Sequence, residues 1–381
     1  IPTYDFIHGT GLMLGMGGAT RFSILKSQNN QKGADTIFTN TVYLGIFFSV
    51  IFMLGGLFFS GSLARLLGAD QNTFEMTNTY LHVMMLFIIL CFVRNDGNPR
   101  ISMVATVLGS LFNVLFDYLF IFPFGMGMLG AVLATGFSPV VGLIIMSPHW
   151  LGKKRGFHFR KLVPDADSIR TNISLGFPSL LSQISAAIVM IVFNMLILGL
   201  KGNTGVAAYG IIANISLVVL SFYTGIAQGI QPLVSHSYGQ KKTDGIRQFL
   251  RYAMISMVIL SAVMYLILFV FADPIASAFN SEHNAKLQEI AVTGLKLYFT
   301  SLVFAGFNII LSMYFTSVEK ALPAQIISLL RGLILIIPIA FLFANLWDMT
   351  GVWMSFPATE LVTAIVGAVL YFIYKNRLYG R

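Results

Sequence analysis

Charge and cysteine are what this sequence has least of. Acidic and basic residues fill 10% of its 381 positions, whereas an ordinary soluble domain carries about 25%. A soluble fold of this length would need a polar surface that this composition cannot supply. The single cysteine, Cys91, excludes a disulfide framework and a CxxC metal pair. There is no GxSxG, no HExxH and no Walker A lysine motif. The histidines, His8, His82, His149, His158, His236 and His283, are dispersed and make no metal-ligand set. Catalysis, a bound cofactor and ATP hydrolysis are therefore not expected. No secretory signal is visible, and the chain opens with Ile.

Apolar sequence is abundant instead. Hydrophobic residues make up 56% of the chain and gather in runs such as "VYLGIFFSVIFMLGGLFFSG" and "YAMISMVILSAVMYLILFVFA". Each run is about 20 residues long, enough at 1.5 Å per residue to cross a hydrocarbon core of about 30 Å. The alternation of a lipid-facing β-barrel is missing. The fold class is therefore all-α integral membrane. Eleven spans are predicted, at 6–25, 37–60, 76–93, 101–122, 127–150, 172–200, 206–234, 247–271, 287–316, 323–345 and 350–374. Arg21 and several glycines dilute the first.

Basic residues orient the spans. Nineteen of the 24 Lys and Arg fall in alternate loops, among them Lys26, Arg94, Lys153, Lys154, Arg155, Lys241 and Lys242. Arg65, Lys201 and Lys286 fall in the other loops, and Lys296 and Arg331 within spans. The positive-inside bias makes the first set cytoplasmic, with the C-terminus, in a multi-pass protein of the plasma membrane. The net charge of +9 is then mostly loop charge. Scattered over six loops, it offers no face for nucleic acid.

The chain repeats itself. At an offset of 212, Gly17 meets Gly229, Ser23 meets Ser235, Gln28 meets Gln240, Gly33 meets Gly245 and Ser49 meets Ser261. Later Pro99 meets Pro323, an offset of 224. The halves keep one orientation, a parallel repeat of the kind found in transporters. Two pseudo-repeated helical bundles follow, six plus six in the parent. Residues 1–150 form an incomplete N-terminal lobe, 151–170 a cytoplasmic linker and 171–381 a C-terminal lobe. The repeat implies that a first helix of about 40 residues is missing, and about ten more near Leu86 to Phe92.

Charge within a span costs about 2.5–3.5 kcal/mol on insertion scales, so the acids clearly placed there, Asp117 and Glu360, stand out. Asn113 lies one turn before Asp117 on the same helix face, and the next span offers Ala131 and Thr135 at the same spacing. Carboxylate, amide oxygen, hydroxyl and carbonyl make a hard-oxygen environment for Na⁺, with Asp117, Asn113 and Thr135 as side-chain donors; the carboxylate alone could take a proton. A hydrogen bond between helices is the plainer alternative. Arg331 and Glu360 either pair or line a cavity. Gln183, Asn194, Gln231 and Asn308 are further cavity candidates, or interhelical glue.

The stretches "GMGGATRFSILKSQNNQKGAD", "FVRNDGNPRISMVATVLGSLFNVLFDYLFIFPFGMGMLGAVLAT" and "GIAQGIQPLVSHSYGQKK" resemble the MATE (multidrug and toxic compound extrusion) transporters. The resemblance implies two six-helix bundles around a cavity, alternating access, and export of organic cations or drug-like molecules in exchange for Na⁺ or H⁺, by a monomer. It also implies that Asn113, Asp117, Ala131 and Thr135 belong to a cation site, which in the family draws on an Asp of the first helix as well. Two alternatives stay open: a lipid-linked oligosaccharide or polysaccharide flippase of the same superfamily, and a truncated, non-transporting membrane protein.

Overall fold

The computed structural model describes residues 2–67, 89, 91–152, 155–161 and 164–379. Among them there is no strand. The helices are α1 (Pro2–Ser27), α2 (Gln31–Leu67), a helical turn at 91–95, α3 (Pro99–Ile121), α4 (Gly127–Trp150) and α5 (Ala166–Gly239). Then come α6 (Thr243–Val270), α7 (Ala272–Phe279), α8 (Ala285–Tyr298), a 3₁₀ turn at Phe299–Ser301 and α9 (Leu302–Ser317). The chain ends with α10 (Ala321–Leu329), a π-helical turn at Leu330–Ile334 and α11 (Ile336–Tyr379). Two compact units result, Ile1–Leu180 and Leu181–Arg381.

Two of these helices are broken. In α5, Gly202 takes φ 63° and ψ −156°, a conformation open to glycine. In α11, Trp347 and Asp348 leave the helical region, with φ −133° and 53°. Lys201 and Asp348 form an ion pair at 2.6 Å that ties the two breaks together. The break in α5 separates two crossings, and the break in α11 separates the last crossing from one built jointly by α10, the π-helical turn and the start of α11. Among the described residues six helical stretches are long and apolar enough to span a bilayer, and the chain is a multi-pass membrane protein. Every expected span has a helix, except that the one at 76–93 lies largely outside the described residues. The short α7 stands where the sequence reading had a loop.

The repeat is written in the backbone. Asn29 and Lys241, 212 apart, both take φ 59°. Around them the same bonds recur: Asn29 N to Lys26 O and Lys241 N to Tyr238 O, both at 3.0 Å. The later turns correct the offset drawn from prolines. Gly97 (φ 92°) corresponds to Glu319 (φ 56°), and Asn98 N bonds Val93 O as Lys320 N bonds Phe315 O. That offset is 222, not 224.

The segment after α4 docks on the first unit. Phe157 is buried among Phe22, Phe38 and Phe92, with ring centroids 4.6 to 6.3 Å away. Beside it the Asp96 side chain, 1% exposed, holds Lys26 in an ion pair. It also accepts from Gly156 N (2.6 Å) and from His149 Nε2 (2.9 Å). Asn98 Nδ2 donates to His149 Nδ1 at 3.2 Å, which puts the proton on Nε2 facing Asp96. Asp35 accepts from Gln31 Nε2 and His158 N. Further on, Asp165 caps α5: the Ser168 hydroxyl (2.6 Å) and N–H (3.0 Å) hold its carboxyl below the usual range.

Phe157 is the apolar anchor of this docking. Phe157→Ala in a core costs about 3 kcal/mol or more, which raises the open population of the segment by roughly two orders of magnitude. Limited trypsin digestion will read this as faster cutting at Arg155, Arg160 and Lys161. Unchanged cutting would mean that the Asp96 and Asp35 bonds alone hold the segment.

Candidate functional site

The first candidate site lies on the α3–α4 hairpin. Ser138 Oγ donates to Gly109 O at 2.7 Å. Towards the connecting turn, Gly130 packs so closely that a Cβ there would lie 2.8 Å from Phe120 Cβ. These two contacts fix the antiparallel register. Between them Asn113 stands at the height of Thr135 and Asp117 at the height of Ala131. All four residues are half-buried. Thr135 Oγ1 donates to Ala131 O at 3.0 Å, so its lone pairs remain available. Among the described residues, no hydrogen bond or ion pair reaches the Asp117 carboxylate. Asp117 is four residues from the end of α3, about 6 Å at 1.5 Å per residue.

The second candidate site is a cavity of about 160 Å³ in the second unit. Arg331, on the π-helical turn, and Glu360, on α11, stand on its wall. Arg331 Nη2 and Nε reach Glu360 Oε1 at 2.6 and 3.1 Å. Asn308 Nδ2, from α9, donates to Oε2 at 2.7 Å and to the Glu360 carbonyl at 2.9 Å. Glu360 and Asn308 are 0% exposed. At 1.5 Å per residue, Glu360 is about 18 Å past the break in α11 and Arg331 about 15 Å from the start of α10, the middle of a hydrocarbon core.

The rest of the wall is amphipathic. Tyr298 and Phe356 stack face to face at 4.5 Å, and Phe193 stacks on Tyr209. Ser182, Ser185 and Val189 from α5 complete one side.

Sequence reasoning named three of these groups and missed the others. Arg331 and Glu360 both pair and line the cavity, and Asn308 backs them. Gln183, Asn194 and Gln231 are not on the wall. Gln231 Nε2 is 3.5 Å from Ser235 Oγ, which donates to Ser317 O, a link between helices. The missed residues were readable as stripes. Ser182, Ser185, Ala186 and Val189 fall at helical spacing, as do Tyr209, Ala213, Ser216 and Leu220. Lys296 is not on the wall either; its Nζ lies 5.2 Å from the Phe269 ring.

A family model, MatE, matches residues 1–119 and 178–342, well over half of the chain. The chain belongs to the MATE transporter family. The multidrug export protein MepA of Staphylococcus saprophyticus is 26% identical over 388 residues, covering 99% of this chain and 85% of that protein. MepA of Staphylococcus aureus is 25% identical over the same coverage. Among solved structures, a multidrug resistance MATE family transporter in its outward-facing conformation superposes with a TM-score of 0.92. It is 22% identical and is matched over 100% of this chain and 87% of its own. A MOP superfamily transporter from Pyrococcus furiosus gives 0.90 at 23% identity, over 99% of this chain and 86% of its own. The MATE fold therefore extends over the whole chain.

The Arg331–Glu360 pair has a measurable signature. Glu360→Gln leaves a buried guanidinium without its counter-charge, a loss of about 3–5 kcal/mol. Arg331→Met with Glu360→Met removes both charges and recovers most of it. Thermal unfolding in detergent of wild type, Arg331→Met, Glu360→Met and the double variant completes the cycle. Equal midpoints for wild type and Glu360→Gln would show that the pair is solvated.

Proposed function

We propose that this protein is a secondary active multidrug efflux antiporter that exports organic cations, driven by an inward Na⁺ or H⁺ gradient. Its MATE family membership and the name of its Staphylococcus relatives, multidrug export protein, support the export reading. The observation that carries the coupling reading is Asp117. It is an acid within a span, half-buried, with no protein partner among the described residues. An unpaired carboxylate there is costly unless a cation or proton joins it. Asn113 and Thr135 offer an amide oxygen and a hydroxyl from the same face of the hairpin, hard donors that suit Na⁺.

With the basic loops in the cytoplasm, α3 starts there and Asp117 lies near the outer surface. Ion binding from outside would favour one state of the first lobe, and release inside would favour the other. Coupling requires the ion to bind the two states with different affinity. The flippase alternative calls for several basic groups in a cavity. Here Arg331 is matched by Glu360 and Lys296 lies over Phe269, which favours drug export.

Efflux of ethidium from cells tests this reading. Asp117→Asn at equal expression is expected to abolish export, and Asn113→Ala or Thr135→Ala to raise the ion concentration needed. Imposed Na⁺ or pH gradients then identify the ion. Full export by Asp117→Asn would make Asp117 a structural acid and end the proposal.

A further inference from the structure

The repeat allows two helix faces to be compared. At the offset of 212, Gln31, Asp35, Thr39 and Tyr43 of α2 correspond to Thr243, Arg247, Arg251 and Ile255 of α6. Positions four apart share one helix face. In the first unit the segment after α4 covers that face. Gln31 Nε2 donates to Gly156 O at 2.6 Å, His158 N to Asp35 Oδ1 at 2.9 Å and Arg160 N to Thr39 Oγ1 at 3.0 Å. The Phe159 ring meets Tyr43 at 5.5 Å. Asp35 and Thr39 are buried beneath this cover.

On α6 the same face is bare and basic. Arg247, Arg251 and Ile255 are exposed, as are Lys241 and Lys242 in the turn before the helix. Asp244 is the single acid between Lys241 and Ile255. No described residue takes a hydrogen bond or an ion pair from Arg251. Beside it Tyr252 is 56% exposed. Its oxygen accepts from Gln248 Nε2 at 2.9 Å, which leaves the phenol proton to donate outward. Beyond Tyr252 the exposed side of α6 is apolar, with Ile255, Val258, Ile259, Val263, Leu266 and Val270. Tyr252 to Phe271 is about 20 residues, or about 30 Å, the depth of a hydrocarbon core. Arg251 therefore stands at the boundary where lipid phosphates lie, and Arg247 stands one turn further out.

We propose that this end of α6 binds an anionic phospholipid, its phosphate held by Arg251, Arg247 and the Tyr252 hydroxyl and its acyl chains laid on Ile255 and Ile259. A guanidinium matches phosphate oxygens in geometry and charge, and tyrosine suits the membrane interface. Lys241 and Lys242 add a positive field that favours a lipid of net negative charge over a zwitterionic one. Charge also decides against the other occupants. The C-terminal residues follow α11 as the linker follows α4, but Lys375, Arg377 and Arg381 carry the sign of the face itself. A second copy docked face to face would bring the same arginines against each other. The site is separate from the Asp117 hairpin. It depends neither on the coupling reading nor on which side of the membrane the basic turn faces.

The test is native mass spectrometry of the full chain in detergent, with equal amounts of dioleoyl phosphatidylglycerol and dioleoyl phosphatidylcholine added. Wild type is expected to take its first lipid with a preference of about tenfold or more for phosphatidylglycerol. Arg247→Gln with Arg251→Gln is expected to reduce that preference to about twofold or less. Lys32→Gln with Lys161→Gln removes the same charge from exposed lysines of the first unit and is expected to keep the preference. Equal uptake of the two lipids by wild type would overturn the proposal. So would a preference that the arginine variant retains, or one that the lysine variant also loses, since charge elsewhere or total charge would then account for it. A dimer peak that the arginine variant loses would assign the face to a second copy, and that result overturns it too.

Discussion

Hydrocarbon supplies no water to a buried charge, so every ionised group inside a span must find its partner within the protein. The Arg331–Glu360–Asn308 network is where the second unit meets that constraint. Much of its local structure follows from it. The π-helical turn at Leu330–Ile334 changes the helical register where Arg331 must face α11. Gly332 lets that turn close on Ser185. Along α11, Ser355, Thr359 and Thr363 are buried with their hydroxyls bonded to carbonyls of their own helix. The stripe that carries Glu360 is thus polar in composition yet satisfied in its bonds.

The repeat shows what this network replaced. At the offset of 222, Gly109 corresponds to Arg331 and Ser138 to Glu360. In the first unit these positions make one neutral hydrogen bond, Ser138 to Gly109. In the second they make a bidentate ion pair. The same offset sets Asn113, Asp117, Ala131 and Thr135 against Leu335, Ile339, Trp353 and Pro357. The halves therefore share a helix-pair geometry and differ in where they keep charge. One holds it mid-helix and locked. The other holds it near a helix end, with no partner among the described residues.

Much of the fold was legible because a bilayer imposes length and apolarity on every crossing. Gly202 and Asp348 break their helices close to where the spans were expected to end. Arg331 and Glu360 were visible because ionisable residues are rare inside spans. Three features escaped. A span boundary in sequence does not reveal a π turn, which depends on which carbonyl each N–H selects. Gln183, Asn194 and Gln231 are polar, but hydropathy does not say which helix face meets a cavity; Ser185 and Tyr209 do so by rotation about the helix axis. Asp96 has the appearance of an ordinary loop acid in "FVRNDGNPR", yet Lys26, His149 and the Gly156 amide enclose it. Those partners come from three segments that only the fold brings together.

The contrast between Glu360 and Asp117 bears on how a transporter can use an acid at all. A group that alternately binds and releases an ion must have valence to spare, and it must not be neutralised in both states. Glu360 has no valence to spare here: Arg331 supplies its counter-charge, and Asn308 takes the remaining oxygen. In this arrangement it fixes a guanidinium. Asp117 has no partner among the described residues and stands on a hairpin whose register is clasped below at Gly109–Ser138 and above at Phe120–Gly130. With the backbone held at both ends, an ion bound between Asn113, Asp117 and Thr135, as proposed, would meet donors already in place. On that proposal the energy it releases would go into the difference between two states of the lobe and not into building the site.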